Sequence, residues 1–253
     1  MPSPLSEFEA QIEGLKADFN FVRLASQLRP RIGGILMWQP PNEGTMIATD
    51  FMKARTAGPE GVYGPLLVRL LACLEQFLRK IITTAVVRKA QAAGSYDGVA
   101  ETLKNRNLVL TGRLLSTLDA PREYLTLNVD EMIENLASCK KGSSSFRLNA
   151  AAFSATLAGV NPAVIEKAFD NVDVSDLWDK IGASPKIVTL LETKGSRATG
   201  IRAKDRLKEL ARWRNHLAHG GEGQIAISDS QFGDAIDFVL EFGKALDSVV
   251  QKS

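Results

Sequence analysis

The chain has 253 residues, 45% apolar, 24% charged and 7% aromatic, which suits one domain or a domain with an arm. Lys and Arg number 31 against 29 Asp and Glu, and a formal charge of +2 neither demands nor forbids a polyanionic partner. Two cysteines, Cys73 and Cys139, and two histidines, His216 and His219, exclude a disulfide scaffold and leave too few soft ligands for a structural zinc site.

Along the chain, Leu5, Phe8, Ile12, Leu15, Phe19, Val22 and Leu28 predict one amphipathic helix over 5–28. Residues 31–63 carry Gly33-Gly34, Pro40-Pro41, Gly44, Gly58-Pro59 and Gly61 and predict an irregular connector, with short extended pieces at 34–38 and 45–47 suggesting a small hairpin. From Pro65 an apolar pattern runs without Gly or Pro to a stop at Gly94, predicting the longest helix of the core. Arg69 and Glu75 interrupt its apolar stretch, and no basic segment followed by an apolar core opens the chain. Neither a membrane span nor a secretory signal is therefore expected. The expected location is cytoplasmic, with both thiols as small buried apolar groups.

A shorter helix is expected from about Ser95, with 105–118 and 140–145 weakly patterned. Another spans Val129–Ser138, where Asp130, Glu131 and Glu134 favour an N-terminal turn. Asn161-Pro162 opens a helix to Asn171, and 173–181 predicts a further one that 186–193 extends before a polar loop over 194–200. Ile201–Ala218 predicts a helix closed by Gly220-Gly221, and Ser228 or Asp229 caps the final one, with Phe232, Ile236, Val239 and Leu246 inward. The predicted fold is all-α, an irregular helical bundle with an N-terminal helix and connector.

The segment IRAKDRLKELARWRNHLAHGGEG, 201–223, carries the chemistry. At about 100° per residue Ala203, Leu207, Leu210, Ala211, Leu217 and Ala218 form one stripe, and Arg214 projects near its middle. A guanidinium cannot deprotonate to escape an apolar setting, so carboxylate, water, carbonyls or a ligand must meet it. Asn215 and His219 project on the flank of the stripe, whereas His216 points to the solvent side. The helix dipole favours imidazolium at His219 and Arg214 opposes it; either way the ring suits acid or base chemistry near neutral pH. From Lys186 to Arg214 nine basic residues face three acids, which leaves the rest of the chain net acidic. A belt of that kind favours a phosphate-rich substrate, with Lys194, Arg197, Arg202 and Arg212 as candidate RNA contacts.

Arg214-Asn215 followed by His219 after three intervening residues, late in a helix and before Gly, resembles the signature of HEPN domains. The order of elements over about residues 60–250, with an acid in an earlier long helix at Glu75 and a final helix after the motif, is similar in particular to the RiboL-PSP-HEPN branch. The resemblance implies an all-helical homodimer in which two motifs face one another, often a metal-independent endoribonuclease acting as a toxin or in antiviral defence. It implies Arg214 on the scissile phosphate, His219 as acid or base, and Asn215 orienting His219 or holding a phosphate oxygen. No cofactor or metal is implied. The implied partners are a second copy, RNA and an antitoxin or regulatory protein. Residues 61–253 would form the HEPN-like domain, with 1–60 as accessory helix and connector.

Plainer readings stand beside these. Arg214 would be a structural arginine paired with an acid such as Glu75, His219 a dipole-stabilising helix end, His216 a solvated residue and the belt a wet helix face. Trp213 would serve packing or an interface. For the whole chain, the alternative is a noncatalytic dimeric scaffold that binds RNA, nucleotide or a regulatory partner. A further alternative is an intact motif silenced by an antitoxin or by a nucleotidyl transferase.

Overall fold

In a computed structural model of the chain, the described residues are 2–36, 46, 60–117, 128–219 and 227–253; for 29–36, 60–61 and 218–219 the backbone alone is described. These residues contain α-helices, one 3-10 turn and no strand. The helices are α1 (Pro4–Leu36), α2 (Glu60–Ala93), α3 (Glu101–Leu115), α4 (Val129–Ser138), α5 (Ala150–Ser154), α6 (Pro162–Asp170), α7 (Leu177–Gly182), α8 (Pro185–Leu190), α9 (Ser196–His219) and α10 (Asp229–Gln251). No helix is long and apolar enough to cross a membrane among the described residues.

Several ends follow their local chemistry. Gly94, at φ 69°, ends α2 in a conformation that favours glycine. The Asn128 and Asn161 side chains accept from the backbone N–H of Glu131 and Ala163, opening α4 and α6. Ser228, rather than Asp229, caps α10, in a reciprocal box with Gln231.

Other ends depart from the sequence pattern. The backbone of α1 continues to Leu36 through Pro30 and Gly33-Gly34, where a connector was expected. Similarly, α2 begins at Glu60 and carries Pro65 inside it. Tyr63, fully buried between Phe19 and Phe232, secures the turn that Pro65 deprives of a donor. The expected helix over 173–181 starts only at Leu177, because Asp173 and Asp176 take left-handed φ values of 55° and 51°. A 3-10 turn, Tyr96–Gly98, precedes α3 where a helix was expected from Ser95, and α8 is a separate helix rather than an extension. The expected extended pieces at 37–38, 45 and 47, and Gly220-Gly221, lie outside the described residues.

Phe8, Ile12, Leu15 and Phe19 of α1 are buried against α2 and α10, and α9 lies across α2 and α7. Asn149, 3% exposed, ties α3 to α4: its Nδ2 donates to Thr111 Oγ1 and to the Met132 carbonyl, and its backbone N–H donates to Asn107 Oδ1. The crossing of α7 with α9 is made by backbone. A Cβ on Gly182 would stand 2.0 Å from the Ser196 carbonyl oxygen, and one on Gly200 would stand 2.5 Å from that of Trp178. Gly182→Ala is therefore expected to destabilise the protein by about 2 kcal/mol or more, read as a fall in the urea midpoint, since helix propensity offsets only about 1 kcal/mol of the overlap.

Candidate functional site

Along α9, Ala203, Leu207 and Leu210 are fully buried and Trp213 is 8% exposed, whereas Ala211, Arg214 and Leu217 are half-buried. The stripe thus faces the core for most of the helix and opens towards its C-terminal end. Leu217 sits on the backbone of α2, where a Cβ on Gly64 would stand 3.1 Å from its Cδ2. Beside that contact the Tyr63 hydroxyl donates to Asp229 Oδ1 at 2.7 Å, joining the start of α2 to the start of α10. The C-terminal end of α9 is therefore seated on the start of α2, which the Tyr63–Asp229 bond ties to the start of α10.

Arg214 lies on this rim and makes no hydrogen bond or ion pair among the described residues. Glu75, the carboxylate weighed as its structural partner, is engaged by Arg79 at 2.8 Å, one turn along α2. Arg79 also donates to the Ser154 carbonyl at 3.1 Å and to that of Leu157. The structural pairing of Arg214 with Glu75 is not formed. Asn215 is exposed. His219 is the last residue of α9, and its side chain lies outside the described residues. His216 is half-buried rather than solvated.

The basic belt divides in two. Lys204 pairs with Glu166 at 3.1 Å, Arg206 with Glu209 at 2.6 Å and Lys208 with Asp205 at 3.6 Å. Lys194, Arg197, Arg202 and Arg212 are exposed and make no ion pair among the described residues. Arg202 and Arg212 line a groove of about 840 Å³ beside α9 and α10, with Trp213 in its wall and the Arg206 guanidinium 5.4 Å from the indole centre. Arg214 and Asn215 do not line this groove, so Arg202 and Arg212 lie on another face of α9 than Arg214 and Asn215.

A second cavity, of about 560 Å³, lies among α2, α4 and the residues before α5, walled by Val87, Ala90, Met132, Phe146 and Leu148. Sequence reasoning missed it, because a polar hub at Asn149 has no periodic signal. Cys73 and Cys139 are half-buried, and burial pushes both thiols up, away from the reactive thiolate. No group of three or more His, Cys, Asp or Glu that would hold a metal ion occurs among the described residues.

The family model described as RiboL-PSP-HEPN matches residues 59–252, well over half of the chain and all of α9. No curated protein and no solved structure matches the chain.

Proposed function

The chain belongs to the RiboL-PSP-HEPN family, and from that membership we propose that it is a metal-independent endoribonuclease whose site is completed across a homodimer. The observation that carries this reading is Arg214, a permanent cation half-buried on the core-facing stripe of α9, with no ion pair among the described residues. An uncompensated guanidinium in that setting is costly unless a ligand meets it, and a phosphodiester is the anion its planar fork fits. The exposed Arg197, Arg202 and Arg212 of α9, with Lys194 just before it, would hold the flanking phosphates.

In this mechanism the ribose 2′-oxygen attacks the adjacent phosphorus, a P–O2′ bond forms and the P–O5′ bond breaks. One His219 takes the 2′-hydroxyl proton and the His219 of the partner subunit protonates the departing 5′-oxygen. Arg214 stabilises the charge that develops on the phosphoryl oxygens, and Asn215 orients the imidazole or a phosphate oxygen. The products are a 2′,3′-cyclic phosphate and a 5′-hydroxyl. Residues 61–253 form the HEPN-like domain in this reading and 1–60 an accessory part. A ribonuclease of this kind suits a toxin or antiviral defence effector restrained by an antitoxin or regulatory protein.

The test is cleavage of end-labelled RNAs by the purified protein in excess EDTA, with the product ends identified. Cutting is expected to persist without divalent ions and to leave cyclic phosphate ends. If dimer at high concentration leaves diverse RNAs intact, the noncatalytic scaffold replaces the enzyme.

A further inference from the structure

Between α4 and α5 the chain runs through a non-helical stretch that is hydrogen-bonded along one side. The Arg147 N–H donates to Ser138 Oγ at 3.1 Å, its carbonyl accepts from Cys139 Sγ at 3.4 Å, and the Asn149 N–H donates to Asn107 Oδ1 at 2.8 Å. The N–H and carbonyl of Phe146 and the N–H of Leu148 have no partner among the described residues. Bonding at alternate residues is the pattern of an edge strand, paired on one side and open on the other. Leu148 is only 6% exposed, and a backbone donor left over in a buried residue is rare.

Phe146 and Leu148 both line the cavity of about 560 Å³, a volume within the range of ligand sites. Asn128, Glu131, Met132 and Asn135 of α4 line it too, at the spacing of one helix face. Val87 in its apolar wall is 43% exposed. The polar lining consists mainly of carboxamides and one charge of each sign. Asn135 donates to Asn149 Oδ1 at 2.9 Å, which orients its carboxamide and leaves Oδ1 and the second N–H unused among the described residues. Glu131 and Arg147 are exposed, and neither makes an ion pair among the described residues.

We propose that this cavity binds an extended peptide segment of a partner protein, which pairs with the open edge at Phe146 and Leu148 and seats one apolar side chain among Val87, Met132 and Leu148. A peptide is the ligand whose repeating amide matches both the unused backbone groups and the carboxamide of Asn135. A nucleotide would bring several negative charges to a lining that holds one cation and one anion. In an extended peptide the side chains two before and two after the seated one share its face. A cationic and an anionic side chain at those positions therefore complement Glu131 and Arg147. The site is remote from the motif, since Val87 lies about 35 Å along α2 from Gly64, on which Leu217 sits. It does not rest on the ribonuclease reading.

The test uses end-capped, fluorescein-labelled pentapeptides added to the full chain and read by anisotropy. Lys-Ala-Leu-Ala-Glu is expected to bind with a Kd of about 1 mM or tighter, and about tenfold or more weakly once its Leu is replaced by Asp. The wild type is expected to prefer it to Lys-Ala-Leu-Ala-Lys and to Glu-Ala-Leu-Ala-Glu. Arg147→Glu, at an exposed side chain, is expected to move that preference to the peptide with two Lys while Tm stays where it is. Bound peptide is expected to slow amide hydrogen exchange at Phe146 and Leu148 and to leave α9 unchanged. No saturable binding, equal binding of the Asp peptide, a preference that Arg147→Glu does not move, or protection that spares Phe146 and Leu148 would each overturn the site. RNA cleavage enters none of these readouts, so the peptide site and the ribonuclease stand or fall separately.

Discussion

His219→Ala is expected to slow RNA cleavage by about 10²–10⁴-fold, the contribution of a positioned general acid or base. The substitution sits at the last residue of α9, beyond the buried Leu207, Leu210 and Trp213 that anchor the helix, so Tm and dimer mass are expected to stay where they are. A histidine serving only the helix dipole would give the opposite pattern, a loss of about 0.3–1 kcal/mol of stability with turnover intact. The pH–rate profile discriminates further. If two histidines divide the roles of base and acid, the wild type shows a bell-shaped profile, and residual activity of the variant loses both limbs.

Arg214→Gln is expected to lower kcat by about 10²–10³-fold, the loss found when one donor to a developing oxyanion is removed. The fall should lie in kcat more than in KM, because the charge that Arg214 meets grows in the transition state. Stability is expected to hold or to rise, since no carboxylate among the described residues is left behind unpaired. A structural arginine would behave otherwise: its removal would lower Tm first and activity only as a consequence. Arg214→Lys keeps the charge without the fork and should fall between the two, with the Tm of the wild type.

How far the sequence foretells this arrangement differs from element to element. Helices α4, α6 and α10 were legible nearly to the residue, because Asn128, Asn161 and Ser228 carry their own capping chemistry and the apolar positions behind them keep one period. The start of α2 and the end of α1 were not, because Pro30, Gly33-Gly34 and Pro65 are local signals for breaks. Only at Pro65 do the described side chains show what overrides the signal, in the tertiary burial of Tyr63. The short α5 was missed altogether, as five residues hold barely one turn of periodicity.

At the candidate site the helical phase of Arg214 was legible from spacing alone. Its relation to Glu75 was not, since spacing along one helix says nothing of competition. Arg79, one turn from Glu75 on the same helix, takes that carboxylate at 2.8 Å. His216 illustrates the same limit: a wheel assigns a direction, while burial depends on what the neighbouring segments do.

The backbone crossing of Gly182 and Gly200 bears on how the motif is aimed. A rod pinned to its neighbour with no side chain between them can neither slide nor roll. The joint fixes one point of the helix, and the packing of Leu217 on Gly64 holds it again roughly 25 Å further on, so the bearing of the motif is set between two holds. Between the two holds the buried Ala203, Leu207 and Leu210 keep the rod against the core, so a single methyl added at the joint has to tilt the whole barrel against packed neighbours.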